Sequence, residues 1–195
     1  MIIVMPDFRR FFAPGGTFFF TLVTHGRQPL FRAPLSRRIL HDAIVETKRL
    51  RPFDMPGIVL LPDHLHCLWT LLSADADFST RWRKIKEAFT RAYLRAGRRE
   101  AAISPGQQRK GLRGVWQPRF WEHTIRDQED FGRHLDYIHY NPVKHGVARC
   151  AHEWAFSSFH RWVREGIYDA DWCCFCRGPA REPPDFTEIE NRVGE

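Results

Sequence analysis

The stretch Leu61-Pro62-Asp63-His64-Leu65-His66-Cys67-Leu68-Trp69 spaces two histidines by a single residue. In a helix those side chains would point in different directions. In a strand, successive side chains alternate faces, so His64 and His66 stand together while Leu65 and Cys67 point the other way. The neighbours favour the strand. Ile58 to Leu61 is apolar and β-branched at its start, Pro62-Asp63 is a turn signal, and Cys67 to Leu72 is again mostly apolar. The reading is a hairpin with two parallel imidazoles at its mouth, which suits two ligands of a divalent metal. It equally suits two half-exposed histidines that decorate a strand, and spacing alone leaves both open.

Outward from the hairpin the chain reads as one alternating pattern. Thr17 to Thr24, after Gly15-Gly16, predicts a buried first strand, and helical periodicity begins after Pro34 with Leu40, Ala43, Thr47 and Leu50 on one face. Beyond the polar loop Ser73–Asp77, a second helix is predicted from about Ser79, as its cap, to Ala96, with Trp82, Ile85, Phe89 and Ala92 buried. Arg81, Lys84, Arg91 and Arg95 form a neighbouring one-signed stripe, either a solvated face or a phosphate contact. Gly97–Gly114 is rich in Gly, Arg and Lys without periodicity and reads as a basic loop. β character resumes over Trp116–Arg126. A third helix opens at Asp127 and is expected to close near Asn141, because the residue before Pro142 is disfavoured in helical geometry. The order β-α-β-β-α-β defines an α+β, ferredoxin-like or RRM-like domain with an antiparallel sheet, followed by that helix and a C-terminal extension. Residues 1–172 read as a single domain and 173–195 as a partly flexible tail, fraying from Gly178 through Pro179, Pro183 and Pro184.

Composition narrows the function. The chain has 195 residues, 43% hydrophobic and 14% aromatic, enough for a sizeable core. Lys and Arg number 30 against 23 Asp and Glu, an excess that suits an anionic partner, nucleic acid first. Met1–Asp7 lacks the basic region of a signal peptide, and no apolar run reaches the length of a membrane span. Five cysteines, with Cys67 and Cys150 far from the rest, read as a reducing, cytoplasmic setting. Cys173, Cys174 and Cys176 cluster without paired two-residue spacing, a weak zinc signal.

The third helix brings the chemistry together. Phe131, Leu135 and Ile138 form its apolar stripe, while Tyr137 shares another face with Asp130, His134 and Asn141. Strand histidines, a helical tyrosine with an amide one turn on, and a basic surface are the components of metal-assisted phosphodiester chemistry.

At these residues the chain resembles a known family. LPDHLHCLW is similar to the HUH motif, WQPRFWEH to the strand that follows it, and YIHYNPVKHG to the tyrosine helix of single-tyrosine HUH transposases, most closely the REP-associated tyrosine transposases. The resemblance runs from about Gly15 to Tyr168 and departs in the longer Gly97–Gly114 loop and beyond Trp172. It implies that His64, His66 and Asn141 hold a divalent metal, magnesium or manganese. Asn141 stands where the mobile-element branch tends to carry glutamine. Tyr137 is implied as the nucleophile, with Tyr140 three residues away as its rival. The implied reaction is transesterification of single-stranded DNA bearing hairpins, through a 5′-phosphotyrosine, in the cytoplasm on the nucleoid. Trp69, Trp116, Phe120 and Trp121 are candidate stacking faces, with Arg113 and Arg119 beside them. Monomer and homodimer stay open. So do two rival functions, an inactive RRM-like nucleic-acid binder and a phosphoesterase that uses water.

Overall fold

Thr17–Val23, strand β1, reads Thr-Phe-Phe-Phe-Thr-Leu-Val, with no face free of bulky apolar residues. A strand of this kind must be covered on both sides. The computed structural model describes residues 15–174 and 184–193. In chain order it contains β1, helix α1 (Pro34–Leu50), β2 (Asp54–Leu60), β3 (His64–Thr70), α2 (Phe78–Arg95), α3 (Pro105–Arg109), β4 (Trp121–Thr124), α4 (Gln128–Lys144), α5 (Phe159–Arg164) and α6 (Thr187–Val193). The sheet order is β2-β3-β1-β4 and every pairing is antiparallel. This is the expected ferredoxin-like arrangement. The Met1–Asp7 stretch and Cys176 lie outside the described residues.

Strand alternation splits the core in two. Phe18, Phe20, Leu22, Leu65, Cys67 and Trp69 face α1 and α2, where they meet Trp82, Ile85 and Phe89. Phe19, Val59, Leu61 and Leu68 face the other way and meet Leu135, Tyr137 and Ile138 of α4. The third helix therefore seals the second face, and the sheet lies between two helical layers.

Four elements differ from the sequence reading. Helix α2 starts one residue earlier, capped by Asp77, whose carboxylate accepts from Thr80 N at 3.0 Å. The basic Gly97–Gly114 segment contains α3, opened by a capping box between Ser104 and Gln107 that its composition obscured. β4 shrinks to Trp121–Thr124, leaving Trp116 in an isolated bridge to Thr24. Helix α4 continues through Pro142 to Lys144, because Asn141 and Pro142 are buried against the sheet side. Its last carbonyls are closed by the amides of His145, Gly146 and Val147, with Gly146 at φ +63°. In the tail, Phe186 and Ile189 of the described 184–193 segment are buried rather than frayed. Among the described residues, no helix is long and apolar enough to cross a membrane.

Close approach of α4 depends on Gly57 in β2. A Cβ at that position would meet Leu135 Cδ1 at 2.9 Å and Ile138 Cδ1 at 3.1 Å. Gly57→Ala should therefore lift α4 from the sheet and lower stability by ~1–3 kcal/mol, as overpacking does. A urea midpoint equal to wild type would show that this contact does not set the helix position.

Candidate active site

The histidines sit where the hairpin turn meets the sheet. Thr24 pins the turn by donating from its backbone N–H and its hydroxyl to Asp63 O, both at 2.9 Å. Register then sets His66 opposite Thr21, and their side chains join at 2.8 Å through His66 Nδ1. His64 Nδ1 meets the Asp63 carboxylate at 2.6 Å. Partial burial pushes the Asp63 carboxyl up, but the His64 hydrogen bond and the His64 and Arg27 charges outweigh it and hold it below the ordinary range. With both Nδ1 atoms engaged, Nε2 is the nitrogen each ring can offer to a metal, and the orienting partners are those seen behind metal-bound histidines. The two ring centroids are 5.0 Å apart. Both rings are buried, not the half-exposed pair that decoration would require.

Helix α4 brings the other groups over them. Asp127 caps it, accepting from Asp130 N at 2.8 Å. Tyr137 is 0% exposed and its ring lies 5.3 Å from His66. The face read from sequence as polar is thus the face against the sheet. Asn141, one turn on, is also 0% exposed, and neither Oδ1 nor Nδ2 finds a hydrogen-bond partner among the described residues. A buried, unsatisfied amide is costly unless something else binds it. That orphaned oxygen, beside two oriented imidazoles, fits a divalent cation. Tyr140 instead stacks on Phe186 at 5.6 Å; burial first, then the neighbouring Cys173 and Glu190, raise its phenol above the ordinary range.

Two neighbours escaped the sequence reading. Because α4 passes through Pro142, Lys144 lies two turns past Tyr137, and its ammonium donates to the Tyr137 hydroxyl at 3.1 Å. His145 brings its ring to 5.0 Å from His64. Both stand in the YIHYNPVKHG stretch, and only the expectation of a helix ending at Asn141 hid them.

A second cluster clamps α4 to β4. Asp130 Oδ2 accepts from His123 Nε2 at 2.8 Å and from Arg126 N and Nε at 3.0 and 3.1 Å. His134 Nδ1 lies 2.8 Å from Asp130 O and 3.1 Å from Oδ1. Burial alone would raise the Asp130 carboxyl; its hydrogen bonds to His123 and Arg126 reverse this and hold it far below the ordinary range. Burial lowers His134 to about 4 and His139 to about 3 from 6.5. His123, Asp130 and His134 offer atoms within 4.8 Å of one another, as do Cys150, His152 and Cys174, so each trio could hold a metal ion.

The residues read as phosphate contacts do not join this site. Arg81 is 2% exposed, paired with Asp75 and donating to Arg51 O and Pro52 O at 3.0 Å, so it has no surface for DNA. Lys84, Arg91, Arg95 and Arg119 are exposed. Arg113 holds Glu100, with its Nε 2.8 Å from the carboxylate. Lys86, Arg91 and Arg113 line an open groove of about 820 Å³ between α2 and the segment before β4, on the sheet face opposite the histidines. Trp69 and Trp116 are core rings rather than stacking faces; Phe120 and Trp121 are partly buried.

The tail closes the tyrosine from above. Phe186 lies 5.5 Å from the Tyr137 ring, and Glu190 of α6 pairs with Lys144 at 3.2 Å.

An antiparallel ferredoxin-like sheet with two oriented histidines beneath a helical tyrosine defines the fold and the candidate site of this chain. Comparison with known proteins makes the assignment specific. No family model matches the chain. A REP-associated tyrosine transposase from Escherichia coli strain K12 is 44% identical over 168 residues, covering 86% of this chain and 91% of the relative. A Haemophilus influenzae protein carrying the same family name is 39% identical over 168 residues, covering 86% of this chain and 93% of its own. A solved REP-associated tyrosine transposase bound to a REP hairpin superposes with a TM-score of 0.72 at 41% identity, covering 94% of this chain and 96% of that one. The chain belongs to the REP-associated tyrosine transposases.

Two buried histidines away from the His64–His66 pair, His134 and His139, give a pH signature. Their folded pKa values lie below the unfolded one, so the unfolded chain takes up protons first as pH falls through 6.5. Stability should be unaffected by them above that pH and decline toward pH 4, by up to ~1.4 kcal/mol per pH unit for each histidine. Urea titrations between pH 7 and 4 would show it. His139→Gln, away from the candidate active site, should remove about half of the slope.

Proposed function

We propose that this transposase cuts and rejoins single-stranded DNA beside hairpins, REP-like elements among them, with Tyr137 as the attacking group. The observation that carries this is the Tyr137 ring beside His66, one helical turn before the unsatisfied Asn141 amide. The solved relative bound to a REP hairpin supports the substrate class.

His64, His66 and Asn141 would hold magnesium or manganese, with imidazole and amide donors leaving positions for substrate oxygens. When bound, such a cation supplies Lewis-acid neutralisation of the phosphodiester charge. The remaining work falls to the chain's own groups. The Tyr137 oxygen attacks phosphorus and the P–O3′ bond breaks. A 5′-phosphotyrosine forms, the phenolic proton passes to solvent, and the departing oxygen takes up a proton as a free 3′-OH. The Lys144 ammonium sits where negative charge gathers on the tyrosine oxygen as its proton leaves. A second 3′-OH reverses the step and joins another strand, with no water or ATP consumed. Since Tyr137 is fully buried, Phe186 and α6 must move off α4 before DNA reaches the hydroxyl. The cytoplasm, on the nucleoid, is the setting this reaction suits.

Labelled single-stranded hairpin substrates, resolved on denaturing gels, test the chemistry. Wild type should form a covalent adduct only with magnesium or manganese. Tyr137→Phe should bind DNA normally and form no adduct, Tyr140→Phe should keep it, and Lys144→Met should slow it at least tenfold. His64→Ala and His66→Ala should abolish it while the fold survives. An adduct that persists in Tyr137→Phe and vanishes in Tyr140→Phe moves the nucleophile by three residues. Cleavage by both variants makes water the attacking group, and no cleavage by wild type favours the inactive binder.

Lys84, Arg91, Arg95 and Arg119 remain as sequence-independent phosphate contacts. Each true contact should add ~0.7 to the salt slope of single-strand affinity. Alanine variants that leave the slope unaltered would make this face an ordinary solvated one.

A further inference from the structure

Cys150 and Cys174 are joined as a disulfide across 24 residues of sequence, and His152 stands with them. The three come from two places. Cys150 precedes the short 3₁₀ turn Ala151–Glu153 that follows α4, His152 lies within that turn, and Cys174 ends the described segment beyond α5. Both cysteines are buried, while His152 is exposed. The His152 ring is nevertheless held, its Nδ1 lying 2.9 Å from Ala170 O. A carbonyl only accepts, so Nδ1 carries the hydrogen and Nε2 the lone pair. A metal-bound histidine has this arrangement, with one nitrogen tied to a backbone carbonyl and the other presented to the ion. A disulfide has no need of an oriented imidazole.

We infer that in the reduced chain Cys150, His152 and Cys174 bind one zinc ion as two thiolates and an imidazole, a structural centre separate from the His64–His66 pair. Thiolate and imidazole donors select zinc over the hard cations that phosphodiester chemistry uses. Bonds of ~2.0–2.3 Å place tetrahedral ligand atoms ~3.5–3.8 Å apart. The sulfurs therefore separate and the imidazole closes in, from a cluster that already lies within 4.8 Å. Two thiol protons leave to solvent as zinc enters, and no electrons are exchanged. Water takes the fourth position. The other trio, His123, Asp130 and His134, is a poorer host, because the Arg126 guanidinium already occupies its carboxylate and would repel a cation. The Cys150–His152–Cys174 centre would tie the chain after α5 to the end of the tyrosine helix without touching the reacting groups.

The test is metal content of the full chain, produced with zinc and purified under reducing conditions without chelator. Wild type should hold one zinc per chain, with an X-ray absorption spectrum showing at least two sulfur ligands. Cys150→Ser and Cys174→Ser should lose it. His152→Ala, on an exposed side chain that leaves the core intact, should bind zinc at least tenfold more weakly in competition with a chromophoric chelator, and His152→Cys should restore it. The double variant His64→Ala/His66→Ala should keep the full equivalent. A zinc-free reduced chain, zinc that survives Cys174→Ser, or zinc that leaves with His64 and His66 would each overturn the inference.

Discussion

Helix α4 lies against the second face of the sheet at a distance that only a missing side chain permits, and the candidate site depends on that distance. Gly57 admits Leu135 and Ile138 to β2, and the Asp130 clamp holds the other end of the helix to β4 through His123. Between these two fixings, His134, Tyr137 and Asn141 are pressed onto β1 and β3. Two independent restraints on one rigid rod set both its height and its rotation. A tyrosine placed this way keeps its orientation toward His66 because the helix that carries it is fixed at both ends.

The fold separates chemistry from the more exposed positive charge. Strand alternation sends His64 and His66 toward α4, while Leu65, Cys67 and Trp69 support α1 and α2. The exposed cations of α2 therefore lie on the far side of the sheet from the tyrosine. A ligand that touched both would have to pass an edge of the sheet. Arg81 shows the limit of counting charges on a helix. Its guanidinium turns inward to satisfy Asp75 and two loop carbonyls, and it holds the start of α2 to the end of α1.

Local sequence by itself determined the hairpin, the face shared by His64 and His66, the cap at Asp127 and the spacing from Tyr137 to Asn141. Each follows from period-two or period-3.6 geometry over a few residues, which distant parts of the chain do not alter. It also carried the β-α-β-β-α-β order of elements and the ferredoxin-like class, because short connections and alternating elements leave few arrangements. What tertiary structure decided lies between segments far apart in sequence. Packing kept Pro142 helical against its local preference, and so delivered Lys144 to Tyr137. Burial turned the apparently polar face of α4 inward, drew Arg81 off the surface and joined Cys150 to Cys174 across 24 residues. These outcomes rest on the free energy of covering the second face of the sheet. That term belongs to the assembled layers, and no window of sequence contains it.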